Sequence, residues 1–194
     1  MKKNKIAFLG CDGSGKSTLS SFISSELKKR GKRSEIIFMG WRNFRNPILK
    51  ILSKLYLNRK QKKKVEEEKL SRFRERSFLF YTFYYLELWT RYFKVFFSNK
   101  DYILFDRYFY DELSFSKGIK NKLFRVLTPR PDLCVILKPS LKTIKNRGVN
   151  IQKENFKNFY LHLNNVKKEC KTIELDSSKE KKIIYEIVLD SLNT

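Results

Sequence analysis

The sequence predicts an α/β fold in which a five-stranded parallel sheet is covered by helices on both faces. Five short apolar runs alternate along the chain with segments whose apolar residues recur at helical spacing. Strands separated by helices are joined by crossover connections, which place the strands in parallel. The 194 residues have the length of one domain, and the 41% hydrophobic content provides a core without disulfide or metal support. We therefore expect a single domain over residues 1–194.

Each predicted element follows from a local pattern. The strands are apolar runs, at 5–9, 34–39, 102–106, 132–137 and 172–175. The helices are predicted where apolar residues lie three and four positions apart. These segments are 17–30, one that starts at 47, one that runs from the charged stretch 59–69 to 97, one that starts at 141, 154–170 and one around 183–188. Gly31 is typical of a residue that ends a helix, and Pro47 of one that opens a helix.

The chain is strongly basic, with a formal net charge of +23 from 43 Lys and Arg against 20 Asp and Glu. Such a charge suits an acidic partner: nucleic acid, an anionic membrane or a phosphorylated substrate. A bias in coding composition explains it equally simply, since 30 of the cations are Lys and the chain has a single Ala. We favour this explanation, because proteins that read nucleic acids concentrate Arg where bidentate contacts matter.

Targeting signals and cysteine frameworks are not predicted. No apolar run approaches the ~20 residues of a membrane span. The apolar stretch 6–9, which precedes Cys11, is too short for a secretion signal. The three cysteines and the single His show no zinc or disulfide spacing. We expect a cytoplasmic protein.

Residues 10–17, Gly-Cys-Asp-Gly-Ser-Gly-Lys-Ser, match the phosphate-binding pattern GxxxxGK[ST] in full. A predicted strand precedes this loop and a predicted helix follows it, so backbone N–H groups can surround phosphate oxygens at the positive end of the helix. Lys16 is expected to contact the β- and γ-phosphates, and the Ser17 hydroxyl to bind Mg²⁺. The predicted nucleotide-binding residues are Gly10, Asp12, Gly13, Ser14, Gly15, Lys16, Ser17 and Thr18.

Asp106 ends the third predicted strand, Tyr-Ile-Leu-Phe-Asp. Because parallel strands end at the same edge of the sheet, its carboxylate is expected beside the phosphate loop. There it could hold Mg²⁺ directly or through water, together with Ser17. The alternative is an Asp that caps the next turn.

Three segments together resemble the thymidylate kinase group of nucleoside-monophosphate kinases: residues 8–18, Asp106-Arg107-Tyr108 after the third strand, and Pro131-Asp132-Leu133 at the fourth. The resemblance implies a three-layer P-loop kinase fold, ATP as phosphoryl donor, Mg²⁺, and a small acceptor with a phosphate or similar group. It also implies that Asp12 contacts the acceptor sugar and that Arg107 holds the acceptor phosphate.

The resemblance further implies a short mobile lid, at about 145–155, whose cations neutralise the transferred phosphoryl group. Lys145, Arg147 and Lys153 lie in this stretch, and Arg147, beside Gly148, is our choice. The predicted catalytic residues are then Lys16, Arg107 and Arg147.

The acceptor side, at about 41–97, departs from the family. Its phosphate-binding motif after the second strand is missing, and only Arg42 or Arg45 could substitute. The family's base-reading Arg falls near Tyr85, with Arg91 more than a helical turn away, and the segment after Asp-Arg-Tyr is Phe-Tyr-Asp-Glu-Leu. The acceptor therefore stays open between a nucleoside monophosphate such as dTMP and a non-nucleotide sugar or glycan precursor.

Residues 73–97 contain 12 aromatic side chains, more than one face of a core helix can bury. Core packing accounts for Leu79, Phe83, Tyr85 and Leu86, and the excess favours a homodimer face, with a peripheral membrane contact as the alternative. The charge and the aromatics also allow a different function, that of a non-catalytic, nucleotide-dependent binder of nucleic acid or anionic surfaces. No RNA-stacking motif is present, so nucleic acid is disfavoured.

Overall fold

A five-stranded parallel sheet in the order β2-β3-β1-β4-β5 forms the centre of the chain. The structure is a computed structural model, and it describes residues 3–40, 47–48, 50–51, 78–113, 124–149 and 151–192. The strands are β1 (Asn4–Leu9), β2 (Ser34–Phe38), β3 (Tyr102–Asp106), β4 (Leu133–Leu137) and β5 (Thr172–Leu175). All five predicted strands form, and the predicted α/β fold class is confirmed.

The helices fill the crossovers between the strands. They are α1 (Lys16–Lys29), α2 (Phe78–Tyr92), α3 (Lys94–Phe97), α4 (Phe109–Leu113), α5 (Leu141–Asn146), α6 (Lys153–Asn164) and α7 (Lys181–Ser191), with a 3₁₀ turn at Val166–Lys168. Residues 47, 48, 50 and 51 are helical, as Pro47 predicts, and the charged stretch 59–69 lies outside the described residues.

The helices form two layers because alternate residues of the central strand face opposite sides of the sheet. Ile6 and Phe8 pack with side chains of α1 and α7. Ala7 and Leu9 pack with side chains of α2 and α6. These four residues of the six in β1 are at most 1% exposed, as expected of a strand buried on both faces.

The strand register sets the position of the phosphate loop relative to Asp106. β1 lies between β3 and β4, with Phe8 opposite Asp106 on one side and Leu9 opposite Ile136 on the other. The loop that follows Leu9 therefore emerges directly beside the Asp106 carboxylate, at the edge where the strands end.

The predicted long helix ends differently from the expectation. It breaks at Phe93, between α2 and α3, and Leu86, expected in the core, is 48% exposed. Tyr92 is buried, whereas Phe93, Phe96 and Phe97 are exposed, so the expectation that a core cannot absorb all of these aromatics is confirmed.

No helix among the described residues has the length and apolar character that crossing a membrane would require. The three cysteines are free thiols. The Cys134 and Cys170 sulfur atoms nevertheless lie 2.8 Å apart, because β4 pairs with β5 next to Cys170. Their separation in sequence gave no sign of this contact.

Candidate active site

A cleft of about 810 Å³ lies at the carboxyl ends of the strands. Every strand contributes to its wall at or just after its last residue, as is usual for ligand sites in open parallel sheets. The lining residues are Asp12, Gly13, Ser14, Gly15, Lys16, Ser17, Thr18, Leu19, Phe38, Arg107, Leu137, Arg147, Gly148, Val149, Ser177, Lys181, Ile184 and Tyr185. All the predicted nucleotide-binding residues except Gly10 are among them.

The loop between β1 and α1 is folded as a phosphate cradle. Gly15 forms the N-terminal cap of α1 with φ of 97°, a left-handed conformation that favours glycine. The first turn of α1 contains no acidic residue. The positive end of this 14-residue helix therefore faces the cleft without a neutralising carboxylate of its own, which suits an anion.

Lys16 lies beneath this loop and is only 5% exposed. Its Nζ donates hydrogen bonds to the carbonyl oxygens of Gly10 and Cys11, both at 2.7 Å, and to the Ser14 hydroxyl at 3.3 Å. All three donors of the ammonium group are thus satisfied by the loop, which keeps the charge beside the cleft. An anion in the cradle would compete for these donors.

Ser17 and Asp106 form an oxygen pair at the base of the cleft. The Ser17 hydroxyl donates to Asp106 Oδ2 at 2.6 Å. Asp106 is 6% exposed, and its Oδ1 atom makes no hydrogen bond within the described residues. A buried carboxylate oxygen with spare acceptor capacity beside a hydroxyl is a pair of hard ligands that fits Mg²⁺.

Arg107 follows this carboxylate and crosses the front of the cleft. Its guanidinium forms an ion pair with the exposed Asp12 carboxylate. Among the described residues it is the one non-glycine residue with a positive φ, at 68°. Such a conformation costs on the order of 1–3 kcal/mol and recurs at functional sites. A Cβ at Gly40 would lie 2.6 Å from Arg107 Cδ, so a glycine there leaves room for this side chain.

Arg147, at the end of α5, reaches back across the cleft to the phosphate loop. Its guanidinium donates to the Gly13 carbonyl at 2.6 Å and to the Ser177 carbonyl at 3.0 Å. Lys145 and Lys153, the other cations of the predicted lid, do not line the cleft. The structure thus brings together the three predicted catalytic side chains, Lys16, Arg107 and Arg147.

Two buried side chains support the phosphate loop from behind, and sequence reasoning missed both. Asp111 is completely buried, and its Oδ1 accepts a hydrogen bond from the Gly10 N–H at 3.0 Å. The Tyr160 hydroxyl accepts from the Cys11 N–H at 3.4 Å and donates to the Leu137 carbonyl at 2.7 Å. Burial raises the pKa of Tyr160 and of the Cys11 thiol, so both stay protonated at neutral pH.

Sequence reasoning also did not predict that residues after β5 belong to the cleft. Ser177 and Lys181 line the cleft opposite the phosphate loop, with Tyr185 beyond them. The Tyr185 ring stacks on Phe22 with centroids 3.8 Å apart. A signal existed, because Asp-Ser-Ser directly follows the fifth predicted strand, and polar residues at a strand's carboxyl end belong to the ligand edge.

The predicted acceptor residues are distributed differently. Arg42 and Arg45 lie outside the described residues. Tyr85 does not line the cleft: it is 4% exposed and packs against Phe109 and Phe124, and its hydroxyl donates to the Phe124 carbonyl at 2.9 Å. This position does not fit acceptor contact, because helix α2 directs the side chain into the layer beneath the cleft.

Arg91, the alternative on α2, is held by a buried ion pair. Its Nε and Nη2 donate to Glu87 Oε1, both at 3.0 Å, and the two side chains are 5% and 0% exposed. Its Nη1 donates to the Gly40 carbonyl at 2.5 Å. Arg91 therefore fixes the chain leaving β2.

No family model matches the sequence, and no curated protein matches it. Three solved structures of deoxyadenosine kinase from M. mycoides do match. The structure with the products dCMP and a flexible dCDP is 19% identical, with a TM-score of 0.60, over 97% of this chain and 98% of that one. The dCTP-bound structure is 19% identical, with a TM-score of 0.57 over the same shares. The dATP-bound structure is 21% identical, with a TM-score of 0.61, over 98% of this chain and 100% of that one.

At these identities the likeness shows the fold: this chain has the α/β fold of P-loop kinases, with five parallel strands between helices. The fold implied by the resemblance to thymidylate kinases is thus confirmed. Because these neighbours are nucleoside kinases by name, membership of the thymidylate kinase group remains a prediction.

Proposed function

We propose that this chain is a Mg²⁺- and ATP-dependent phosphotransferase that transfers the γ-phosphoryl group of ATP to a small acceptor. The observation that carries the proposal is the convergence, in one cleft, of a phosphate cradle, an oxygen pair and two arginines. Phosphoryl transfer needs mainly positioning and neutralisation of charge, and these groups supply both.

The donor side consists of the phosphate loop and Arg147. The backbone N–H groups of the phosphate loop would bind the phosphates of ATP. Lys16 would exchange its contacts with the Gly10 and Cys11 carbonyls for contacts with phosphate oxygens. Arg147 lies over Gly13 and would approach the transferred group from the opposite side. Lysine below and arginine above the loop would neutralise the charge that develops during transfer.

The Ser17 hydroxyl and the Asp106 carboxylate would hold Mg²⁺. When bound, the ion would neutralise negative charge on the nucleotide's phosphates. Within the described residues no group of three or more His, Cys, Asp or Glu side chains is placed to hold a metal. Mg²⁺ keeps several waters and takes one or two protein ligands in nucleotide sites, which is what Ser17 and Asp106 would supply.

The acceptor would bind at the front of the cleft, where Arg107 and Asp12 meet. Arg107 offers a planar donor for an anionic group, and Asp12 an acceptor for a hydroxyl. The fold neighbours are deoxyadenosine kinases, which makes a nucleoside one acceptor to test. A nucleoside monophosphate such as dTMP and a sugar or glycan precursor are the others.

The test is ADP release from Mg-ATP with each acceptor class alone. The panel contains nucleosides, nucleoside monophosphates, and sugars and sugar acids. Lys16→Ala should lower turnover with the true acceptor at least a hundredfold, equivalent to about 2.7 kcal/mol. Lys142→Ala, at an exposed lysine of α5 that does not line the cleft, is the matched control and should leave turnover unchanged.

Two results would overturn the proposal. Turnover retained by Lys16→Ala would mean that the phosphate loop does not carry the reaction. ATP binding without turnover on any acceptor would favour the alternative function, a non-catalytic nucleotide-dependent binder.

A further inference from the structure

The edge of the sheet opposite the cleft carries a cluster of exposed phenyl rings. Phe93, Phe96 and Phe97 are 49%, 64% and 88% exposed. Helix α3 ends at Phe97 and β3 begins at Tyr102, so these rings lie where the strands begin. The contact from Lys3 Nζ, just before β1, to the Val95 carbonyl at 2.5 Å places α3 at the same edge.

The same edge is basic. Each of the five parallel strands is preceded within three positions by a cation: Lys3, Arg33, Lys100, Arg130 and Lys171. Lys94 lies between the phenyl rings in sequence. Two carboxylates lie at the same edge: Asp101 pairs with Arg33 at 3.0 Å, and the exposed Asp132, directly before β4, accepts a hydrogen bond from the Lys5 N–H at 2.8 Å. The cations outnumber these carboxylates. We call the surface formed by the three phenylalanines, Lys94 and the strand-preceding cations the strand-start face.

We propose that the strand-start face docks on an anionic membrane surface, with the phenyl rings at the headgroup boundary and the lysines against lipid phosphates. Interfacial binding needs exposed apolar side chains together with cations, and it strengthens with both. The chain's net charge of +23 attracts it to such a surface. Docked this way, the cleft faces away from the lipid and stays open. This inference does not depend on the proposed kinase activity.

Charge and area favour lipid over a second copy of the chain. A two-fold interface brings a patch against itself, so Lys94 and Lys100 would face a surface carrying the same cations. The nearby Glu35 carboxylate already accepts a hydrogen bond from the Ser98 hydroxyl at 2.7 Å. The three rings expose on the order of 400 Å², whereas a stable dimer buries about 800 Å² per partner. The strand-start face thus favours a lipid surface over the homodimer predicted from the aromatic excess.

Shape favours lipid over nucleic acid. Proteins that bind single strands stack bases on aromatics inside a basic groove. Phe97, at the end of a short helix, lines an open depression of about 500 Å³ and still has 88% of its surface exposed. The Glu35 carboxylate lines the same depression and disfavours a phosphate backbone there. A ring so exposed suits insertion into a deformable surface.

The test is co-sedimentation with phosphatidylcholine vesicles and with vesicles of phosphatidylcholine and phosphatidylglycerol at a ratio of about 7:3. The full chain should bind the anionic vesicles at least tenfold more tightly, and high salt should weaken this binding. The double variant Phe96→Ser/Phe97→Ser should lose at least tenfold in affinity. Leu161→Ser, at a residue of α6 that is 53% exposed, is the matched control and should bind like the parent chain.

Three results would overturn the inference. One is equal affinity of the parent chain for neutral and anionic vesicles. Another is unchanged vesicle binding by the phenylalanine double variant, with its thermal midpoint equal to that of the parent. The third is a dimer of the parent chain in solution that the double variant converts to monomer, which would assign the rings to a second copy.

Discussion

The donor side and the acceptor side of the cleft are built in different ways. On the donor side, residues 10–18 carry most of the polar groups in one uninterrupted stretch, and Asp106 at the end of β3 and Arg147 at the end of α5 join them. On the acceptor side, the polar residues of α2 are used for packing, as Tyr85 and Arg91 show. Under the proposed function, phosphate recognition would thus be local in sequence, whereas acceptor recognition would depend on where distant side chains lie.

The largest expected effect tests whether Arg91 is structural. Arg91→Leu would leave the completely buried Glu87 carboxylate without its main partner, so the free energy of unfolding should fall by about 3–5 kcal/mol. Urea denaturation measures this loss, and Glu87→Leu/Arg91→Leu should recover most of it. If Arg91→Leu lowers the free energy of unfolding by less than about 1 kcal/mol and raises KM for the acceptor, Arg91 is an acceptor-binding residue. The two sides of the cleft would then not differ in this respect.

The stability of helix α6, which holds the phosphate loop through Tyr160, should fall at acidic pH. Burial, and then the Arg125 charge, lower the pKa of His162 to about 4 from its ordinary 6.5. The unfolded chain therefore binds this proton more tightly. The contribution of neutral, buried His162 to the free energy of unfolding is fully present above about pH 6.5. It is lost as the pH falls toward 4, which lowers the free energy of unfolding by up to about 3 kcal/mol.

His162 lies on α6, two residues after Tyr160, so the loss should loosen the helix that holds the phosphate loop. Urea unfolding of His162→Gln and of the parent chain, compared from pH 4 to 7, measures it. Parallel pH profiles for the two proteins would show that His162 does not carry the effect.

On the donor side, Asp106→Asn should reduce turnover about a hundredfold, or roughly 2.7 kcal/mol. The amide oxygen can still accept the Ser17 hydrogen bond, but the charge that holds Mg²⁺ is gone. Steady-state ADP release across a Mg²⁺ titration measures this loss. Asp190→Asn, at an exposed position of α7, serves as the control. Equal Mg²⁺ dependence in all three proteins would remove Asp106 from the metal site.

A smaller effect is expected from Arg147→Ala, about tenfold in kcat or about 1.4 kcal/mol. The guanidinium already contacts Gly13 and Ser177, so part of its role is to order the cleft. Separate measurement of kcat and of KM for ATP distinguishes transfer from binding. Lys145→Ala, two residues earlier and exposed, should change neither constant.

The smallest expected effect is that of Tyr85→Phe. Loss of the hydroxyl removes the hydrogen bond to the Phe124 carbonyl, which should lower the free energy of unfolding by about 1 kcal/mol. KM for the acceptor should stay constant, because the side chain lies beneath the cleft. A severalfold rise in this KM would restore Tyr85 as an acceptor residue.

The fold and the donor side could be predicted because their signals are short and contiguous. The 102–106 strand forms at the predicted residues, and Asp106 is placed beside Ser17 by strand register alone. The same logic could have identified Ser177 after β5. Helix boundaries were less accurate, since no local sequence pattern marks the break at Phe93.

The remaining residues depend on tertiary contacts that no local pattern encodes. Asp111 in α4 belongs to no recognised motif, yet it is buried against the Gly10 N–H, about a hundred residues earlier. Tyr160 and the Cys134–Cys170 contact are of the same kind. Tyr85 lies in the layer beneath the cleft. The resemblance places it by its spacing from Asp106, and such spacing does not fix the rotation of a helix.

The strand order has a consequence for how the chain folds. Strand β1 is synthesised first, but its neighbours are β3, about a hundred residues later, and β4, later still. Before residue 106 leaves the ribosome, the emerging chain holds the whole phosphate loop and no strand on either side of it. Ordering of that loop must await closure of the long crossovers, the slow step of such topologies. During synthesis the apolar β1 stays exposed longer than the other strands, so it is the segment that a chaperone for extended apolar chains would bind for the longest time.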